Sequence, residues 1–305
     1  MEEIFHDGER IVQERVGVVS TADANARLIT NTIMKGAIGF IEKQSMAIVS
    51  SRDINDNIWT SILLGASGFV QVPNPNSLVI DVSKVYSDRD DIFFENIKNN
   101  KQLGTLFIEL ATRRRFRING EATYNNGNIA VAVIEAYPNC PKYIQQRIIH
   151  KPETIQPAIA QKEQGTSLTE SLKNWIKGAD TFFIGSTSND GRIDASHRGG
   201  KPGFISLLNN TTLRVPDYLG NSLYNTLGNI TQNSKAGLLF IDFEQKKTFQ
   251  LSGEATVLYD QNSEEDLAKS GGTGRFLEFK ILEWIVSNEQ HTIDWEFTGY
   301  SPFNP

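Results

Sequence analysis

Two kinds of hydrophobic pattern alternate along this chain, and they come in the same order twice. Residues 22–43 carry Leu28, Ile29, Ile33 and Ile38 at roughly helical spacing, which predicts one or two helices after a mixed-charge arm over 1–20. From Ser45 the pattern changes to short β-branched runs over 45–51, 58–66, 68–72 and 77–82. Turn clusters at 53–57 and 73–76 interrupt them, so these are strands. A helix over 88–100 and strand-like stretches over 103–124 and 128–137 follow.

The second half opens with an amphipathic helix over 166–178, with a Ser/Thr start and a Gly stop. Strand-like segments then flank a hairpin-type turn at Asn189-Asp190-Gly191. A helix over 221–232 and strands over 236–243 and 246–259 complete the series. Gly104–Leu110 aligns with Gly237–Phe243, and Asn119–Thr123 with Ser252–Thr256, at one constant spacing of about 130 residues. That period is domain-sized, beyond the ~20–50 residues of solenoid repeats. Residues 276–285 could be helix by composition, but their counterpart at 128–137 is strand-like, so a strand is expected. The expected organisation is a helical arm (1–43), a first β-rich domain (44–150) and a second (151–305).

Composition narrows the function. The 305 residues suffice for two domains, and 39% hydrophobic with 22% charged is ordinary for a globular protein. A net charge of -6 argues against nucleic acid or anionic membrane as a general partner. One cysteine, Cys140, excludes an internal disulfide and a cysteine-cluster metal site. No apolar run reaches the ~20 residues of a membrane span, and the charged N-terminus lacks a signal peptide's apolar core. A cytoplasmic protein is the expectation.

The two copies differ where chemistry is expected. His197, Arg198 and Lys201 stand where copy one has Ile62, Leu63 and Ala66. The neutral helix start at Asn221–Asn225 replaces the acidic Asp88–Asp91, so it would accept a phosphate that the acidic one repels. Asn221 is also an N-cap candidate. Arg198 and Lys201 on the Gly199-Gly200 turn can supply charge-assisted hydrogen bonds, and the glycines would let a ligand approach the backbone. His197 reads either as a satisfied buried histidine or as a base, and Asp217 either caps the turn at Val215-Pro216 or touches ligand.

In copy one, Arg113, Arg115 and Arg117 alternate along a strand and would share a face. That face is either balanced by carboxylates or meets the other copy and an anionic ligand. Tyr137–Gln145, which contains Cys140, has no counterpart in copy two, and Cys140 reads as a packed turn residue. Trp284 and Trp295 read as core or interface aromatics. Gly271, Gly272 and Gly274 form a turn without the strand–helix context of a dinucleotide fingerprint.

The turn RGGKPGF, the segment VPDYLGN, the helix LYNTLGNITQNS and the strands GLLFIDF and TFQLSGEATV together resemble the pyridoxamine 5'-phosphate oxidase-like, FMN-binding split-barrel superfamily. The likeness spans Gln44–Arg147 and Asn174–Trp284. It implies two tandem split β-barrels, mainly β with helices, that form a pseudo-dimer with FMN at the interface. Mapped onto this sequence, His197 and the Arg198–Phe204 turn, with Lys201, Pro202 and Phe204, would border the flavin ring and phosphate. Asp217, Asn221 and Asn225 would face the ribityl chain and phosphate, and Arg113 and Arg115 would approach from the other barrel.

Ser222 stands where the family usually has Arg or Lys, and the C-terminal Arg–His motif of true pyridoxamine phosphate oxidases is missing, so vitamin B6 oxidation is not expected. The implied function is a flavin-dependent oxidoreductase acting on a small molecule, in a barrel type that also forms homodimers. The competing readings are a flavin-binding or stress-related module without turnover, and a haem-binding barrel with His197 or His291 as axial ligand.

Overall fold

The computed structural model describes residues 4–150, 158–289, 291 and 293–305. Helices α1 (Asp7–Arg15), α2 (Val19–Ala26) and α3 (Lys35–Glu42) lead into strands β1 (Met46–Arg52), β2 (Ile58–Leu64), β3 (Val70–Asn74) and β4 (Ser77–Asp81). Helix α4 (Ile92–Asn99), then β5 (Gln102–Glu109), β6 (Arg114–Asn125), β7 (Asn128–Pro138) and β8 (Gln146–His150) end the first half. The second half runs β9 (Gln161–Gly165), α5 (Glu170–Gly178), β10 (Thr181–Thr187), β11 (Ile193–Gly199), β12 (Ser206–Leu207), β13 (Thr212–Pro216) and α6 (Asn225–Gln232). It closes with β14 (Lys235–Asp242), β15 (Lys247–Leu258), α7 (Glu264–Lys269), β16 (Phe276–Asn288) and β17 (Asp294–Gly299).

The two main sheets have one strand order. One runs β2-β1-β5-β6-β7-β4-β3 and the other β11-β10-β14-β15-β16-β13-β12, with antiparallel pairing throughout. Both place a bulge at the same point of the repeat, Asn119/Gly120 in one and Ser252/Gly253 in the other. The segment 276–285 is strand, as its counterpart predicts. The fold is mainly β with helices, two split barrels in one chain.

Each barrel has its own core, around Phe69, Phe93, Phe107 and Phe116 in the first and Phe182, Phe240, Phe249 and Trp284 in the second. A third cluster belongs to both, joining Met46, Ile48, Ile62 and Leu106 to Phe183, Ala195, Leu239 and Ile241. The barrels therefore meet through a dry joint with the apolar character of a permanent subunit interface.

The joint obeys an internal two-fold. A Cβ on Gly104 of β5 would lie 2.6 Å from the Asp194 carbonyl carbon of β11, and one on the corresponding Gly237 of β14 would lie 2.4 Å from the Ile58 carbonyl of β2. Each copy thus presents the same glycine to the same strand of the other, the self-complementary contact of a two-fold dimer. The two closing strands, β8 and β17, pair with each other.

The N-terminal arm crosses to the second barrel, where α1 lies on α6, and a Cβ on Gly228 would be 2.6 Å from Glu9. Among the described residues no helix is long and apolar enough to cross a membrane.

Candidate functional site

Strand β6 starts at Arg114, so the arginines do not share one face as the alternation predicted. Arg113 sits at φ 56° in the turn before β6, and its guanidinium donates to the carbonyls of Ile144 and Tyr300. The left-handed turn that closes β5 to β6 rotates this side chain away, and Arg113 anchors the C-terminal segment instead. Arg115 and Arg117 remain in register and point toward the second barrel.

Arg117 is the clasp between barrels. It donates to the Ala195 carbonyl at 3.1 Å, to the Tyr137 hydroxyl at 2.8 Å and to Ser196 Oγ, and it pairs with Asp194 at 3.3 Å. Burial works against its charge, but Tyr137 and Asp194 outweigh that, and its pKa is raised. Asp194 in turn accepts from Ser186 at 2.5 Å, and Thr226 Oγ1 lies 3.0 Å from Ser196 Oγ.

Arg115 is different. Its Nε donates to the Cys140 carbonyl at 2.6 Å, and among the described residues it has no carboxylate partner. Burial first, then the nearby Arg117 and Arg198, lower its pKa; only Cys140 acts the other way. A guanidinium nevertheless stays charged at neutral pH, so a half-buried cation here lacks a carboxylate counter-ion among the described residues.

Arg198 extends from β11 to Asp217, Nη1 to Oδ1 at 3.0 Å, while the other oxygen of Asp217 is held by Arg275 at 3.0 Å. Both oxygens of Asp217 are therefore engaged by arginines. Asp217 is a buried carboxylate that fixes the direction of Arg198. His197 is 5% exposed, packs edge-on against Phe183, and has no partner on either ring nitrogen. Burial and then Arg115 and Arg198 hold its pKa well below the ordinary histidine value, so the ring is neutral at pH 7.

These side chains enclose two adjoining cavities. One, of about 90 Å³, is lined by Arg115, Arg117, Ser196, His197, Arg198, Asp217, Asn221 and Asn225. The other, of about 60 Å³, is lined by Arg115, Cys140, Lys142, His197, Arg198, Phe204 and Tyr218. So Arg115, His197, Arg198, Phe204, Asp217, Asn221 and Asn225 come together as the sequence predicted.

Lys201 and Pro202 do not. They are exposed on a turn closed by Phe204 N–H donating to the Lys201 carbonyl and Gly203 N–H to the Lys177 carbonyl, which folds them toward α5. Pro202 lines a separate cleft of about 730 Å³ beside Trp175, Trp284 and Trp295. The glycines have another use than the one expected. A Cβ on Gly199 would meet the Tyr143 carbonyl at 2.2 Å, and one on Gly200 the Phe204 ring at 2.6 Å. They admit neighbouring protein, not ligand.

Nor is Asn221 the helix cap. Helix α6 begins at Asn225 behind Tyr224 at φ 63°, and Asn221 Oδ1 accepts from the Leu223 N–H at 3.2 Å in a local turn. Asn225 lines the cavity, but its amide donates to Glu9 of the arm at 2.5 Å. Ser222 and Tyr224 both hold left-handed backbone, at φ 64° and 63°. Two such non-glycine residues in one loop store strain of the kind that collects at ligand sites.

The sequence passed over Arg117, Ser196, Tyr218 and Arg275. Arg117 was legible in the alternation but carried no preference over Arg113. Arg275 precedes β16 in a stretch, with α7, that copy one lacks, so no internal comparison could mark it. Among the described residues no group of three or more His, Cys, Asp or Glu is placed to hold a metal ion.

The family model for pyridoxamine 5'-phosphate oxidase matches residues 168–286. That stretch is similar to the pyridoxamine 5'-phosphate oxidase-like superfamily. It holds β10, β11 and α6, the second-barrel wall of the cavity. No curated protein matches the chain.

Among solved structures, a putative pyridoxamine 5'-phosphate oxidase from Lactobacillus delbrueckii is 21% identical. It covers 39% of this chain and 93% of its own, with a TM-score of 0.32. An FMN-binding protein from Syntrophomonas wolfei is 13% identical over 37% of this chain and 78% of its own, TM-score 0.27. The haem storage protein HutZ from Vibrio cholerae is 12% identical over 44% of this chain and 96% of its own, TM-score 0.27.

Proposed function

We propose that the chain is an FMN-binding oxidoreductase whose flavin lies between the barrels, against Arg115 and Arg198. One observation carries this reading. Arg115 is a half-buried cation with no carboxylate beside it among the described residues, next to two further arginines, on a wall that both barrels build. An unpaired charge in such a place is costly, and the anionic end of a flavin nucleotide would satisfy it by charge-assisted hydrogen bonds. The match of the second barrel to the pyridoxamine 5'-phosphate oxidase model favours a flavin nucleotide over a simple phosphate.

The residues present fit such a group in kind. Arg115 and Arg198 supply charge, and Asn221 and Ser222 supply neutral polar groups on the side of the cavity formed by the strained loop. Both cavities are smaller than the ~300–1,000 Å³ of ligand pockets, so entry requires the Tyr218–Ser222 loop to yield. The loop is held there by the Tyr143–Tyr218 ring contact at 4.9 Å and by Tyr143 Oη donating to the Leu219 carbonyl. FMN would supply the redox chemistry when bound. The protein's part is to orient Arg198 through Asp217, to keep His197 neutral and to close the Tyr218 loop over the site.

The test is a visible spectrum of the purified protein with added FMN, followed by Arg115→Ala. Flavin bands that shift on binding, and an affinity weakened by about 1.5–3 kcal/mol in the variant, are expected. A Soret band, or a protein indifferent to FMN, overturns the proposal. Arg198→Ala should weaken FMN binding similarly, while Lys201→Ala should not.

A further inference from the structure

We infer that the chain takes one flavin, not two, because Thr248 and Gln250 have converted the two-fold-related face of the joint into a sealed contact. This inference rests on the flavin reading proposed above. The internal two-fold relates the strand and helix-start residues of the cavity wall to counterparts. Strand β15 stands for β6, β2 for β11, and the segment before α4 for the one before α6.

Thr248 stands where Arg115 does, and Gln250 where Arg117 does. The hydrogen-bond pattern survives the exchange. Arg117 donates to the Ala195 carbonyl and Ser196 Oγ, and Gln250 Nε2 donates to the Thr60 carbonyl at 3.0 Å and Ser61 Oγ at 2.8 Å, the matching atoms of β2. Gln250 thus performs the clasping half of Arg117's work without bringing a charge.

The rest of the twin face is closed in the same way. Ile62 and Leu63 replace His197 and Arg198, at 1% and 0% exposure, and Thr248 is as buried, with its hydroxyl unpartnered. Asp91, fully enclosed, accepts from Ser61 at 2.6 Å and from the Phe93 N–H. A phosphate brought here would meet Asp91 and Asp88, and the arginine between them, Arg89, is turned to the Ser83 and Val85 carbonyls. Burial raises the Asp91 pKa, which is what an enclosed carboxyl without a cation does. Lys162 of β9 reaches Asp88 at 3.1 Å, so the nearest ammonium is already engaged. One face kept its cations and its cavity; the other exchanged both for packing.

Calorimetric titration of the full chain with FMN reads the number of sites directly. One site per chain is expected. Two sites overturn this inference and leave the flavin reading intact, whereas no binding overturns the flavin reading itself. Location is read by paired variants, each checked for an unchanged melting curve. Arg115→Ala should lower affinity at least tenfold, and Thr248→Ala should leave both affinity and site number within twofold of the parent. Ser287→Ala, another buried hydroxyl next to Thr248 on the same sheet, should match Thr248→Ala. A loss of binding in Thr248→Ala and Ser287→Ala, with Arg115→Ala unaffected, would move the site to the other face and overturn the assignment.

Discussion

The two halves of the joint between the barrels share a skeleton and differ in chemistry. On one side Arg117 holds Ala195, Ser196 and Asp194; on the other Gln250 holds Thr60 and Ser61. The clasp needs only a donor that spans from one barrel to the other strand's carbonyl and serine. A neutral amide does that at lower desolvation cost than a guanidinium. The arginine version therefore needs a further reason, and Asp194, Arg115 and the cavity beside them supply one. Within a duplicated fold, the half that retains the more expensive solution marks the half with work beyond folding.

The largest expected effect breaks the charged clasp. Arg117→Ala leaves Asp194 buried without its cation and should cost about 3–5 kcal/mol, measured by denaturant unfolding. If the loss is no greater than for Gln250→Ala, the two clasps are energetically alike and the contrast fails.

Next come the paired glycines. Gly104→Ala and Gly237→Ala each push a Cβ into backbone of the other barrel, so each should cost about 1–3 kcal/mol. Because Gly104 abuts Asp194, only Gly104→Ala should also weaken FMN binding. Equal flavin affinity in both variants would mean that the arginine side is no more coupled to ligand than its twin.

A pH effect of similar or smaller size belongs to the arm. Helix α1 brings Glu9 onto α6 beside Asn225, whereas α4 lies against β1, β2 and β6. Burial, then Glu135 nearby, pushes the Glu9 carboxyl up to about 8. The folded chain therefore holds a proton that the unfolded chain releases near the ordinary glutamate value of 4.5. Stability from this group is complete below that value and is lost as pH rises through about 8, a decline on the order of 1–3 kcal/mol. Glu9→Gln should flatten the profile across that window; an unchanged slope would assign the dependence elsewhere.

The smallest effect expected is Gln250→Ala, about 1–2 kcal/mol from lost hydrogen bonds to Thr60 and Ser61. Flavin binding should be unchanged.

The duplication was legible because each copy must bury the same faces. Apolar alternation and the glycine spacings carry over nearly unaltered, and they place every main strand and even the helix–strand choice at 276–285. The wall of the cavity was legible in part. His197, Arg198 and Asn225 stood out against Ile62, Leu63 and the charged Asp88–Asp91 segment of copy one. Lys201 and Pro202 stood out for the same reason, yet the turn at Gly203 carries them outward. Period-two alternation holds only inside a strand, so it could not foresee that Arg113 sits in the left-handed turn before β6.

Sequence alone determined the succession of strands and helices along the chain, the repeat and the sign of the charge that copy two gathered, since these depend on local periodicity and on comparing like with like. Tertiary structure decided which charges are already spent. Asp217 is committed to Arg198 and Arg275, Arg117 to the clasp, and Asn225 to Glu9, while Arg115 alone of the three clustered arginines has no carboxylate among the described residues. Pairing depends on which side chains meet across about 20 to 220 residues of chain, and burial then sets the energetic weight of each pair. No local pattern encodes that.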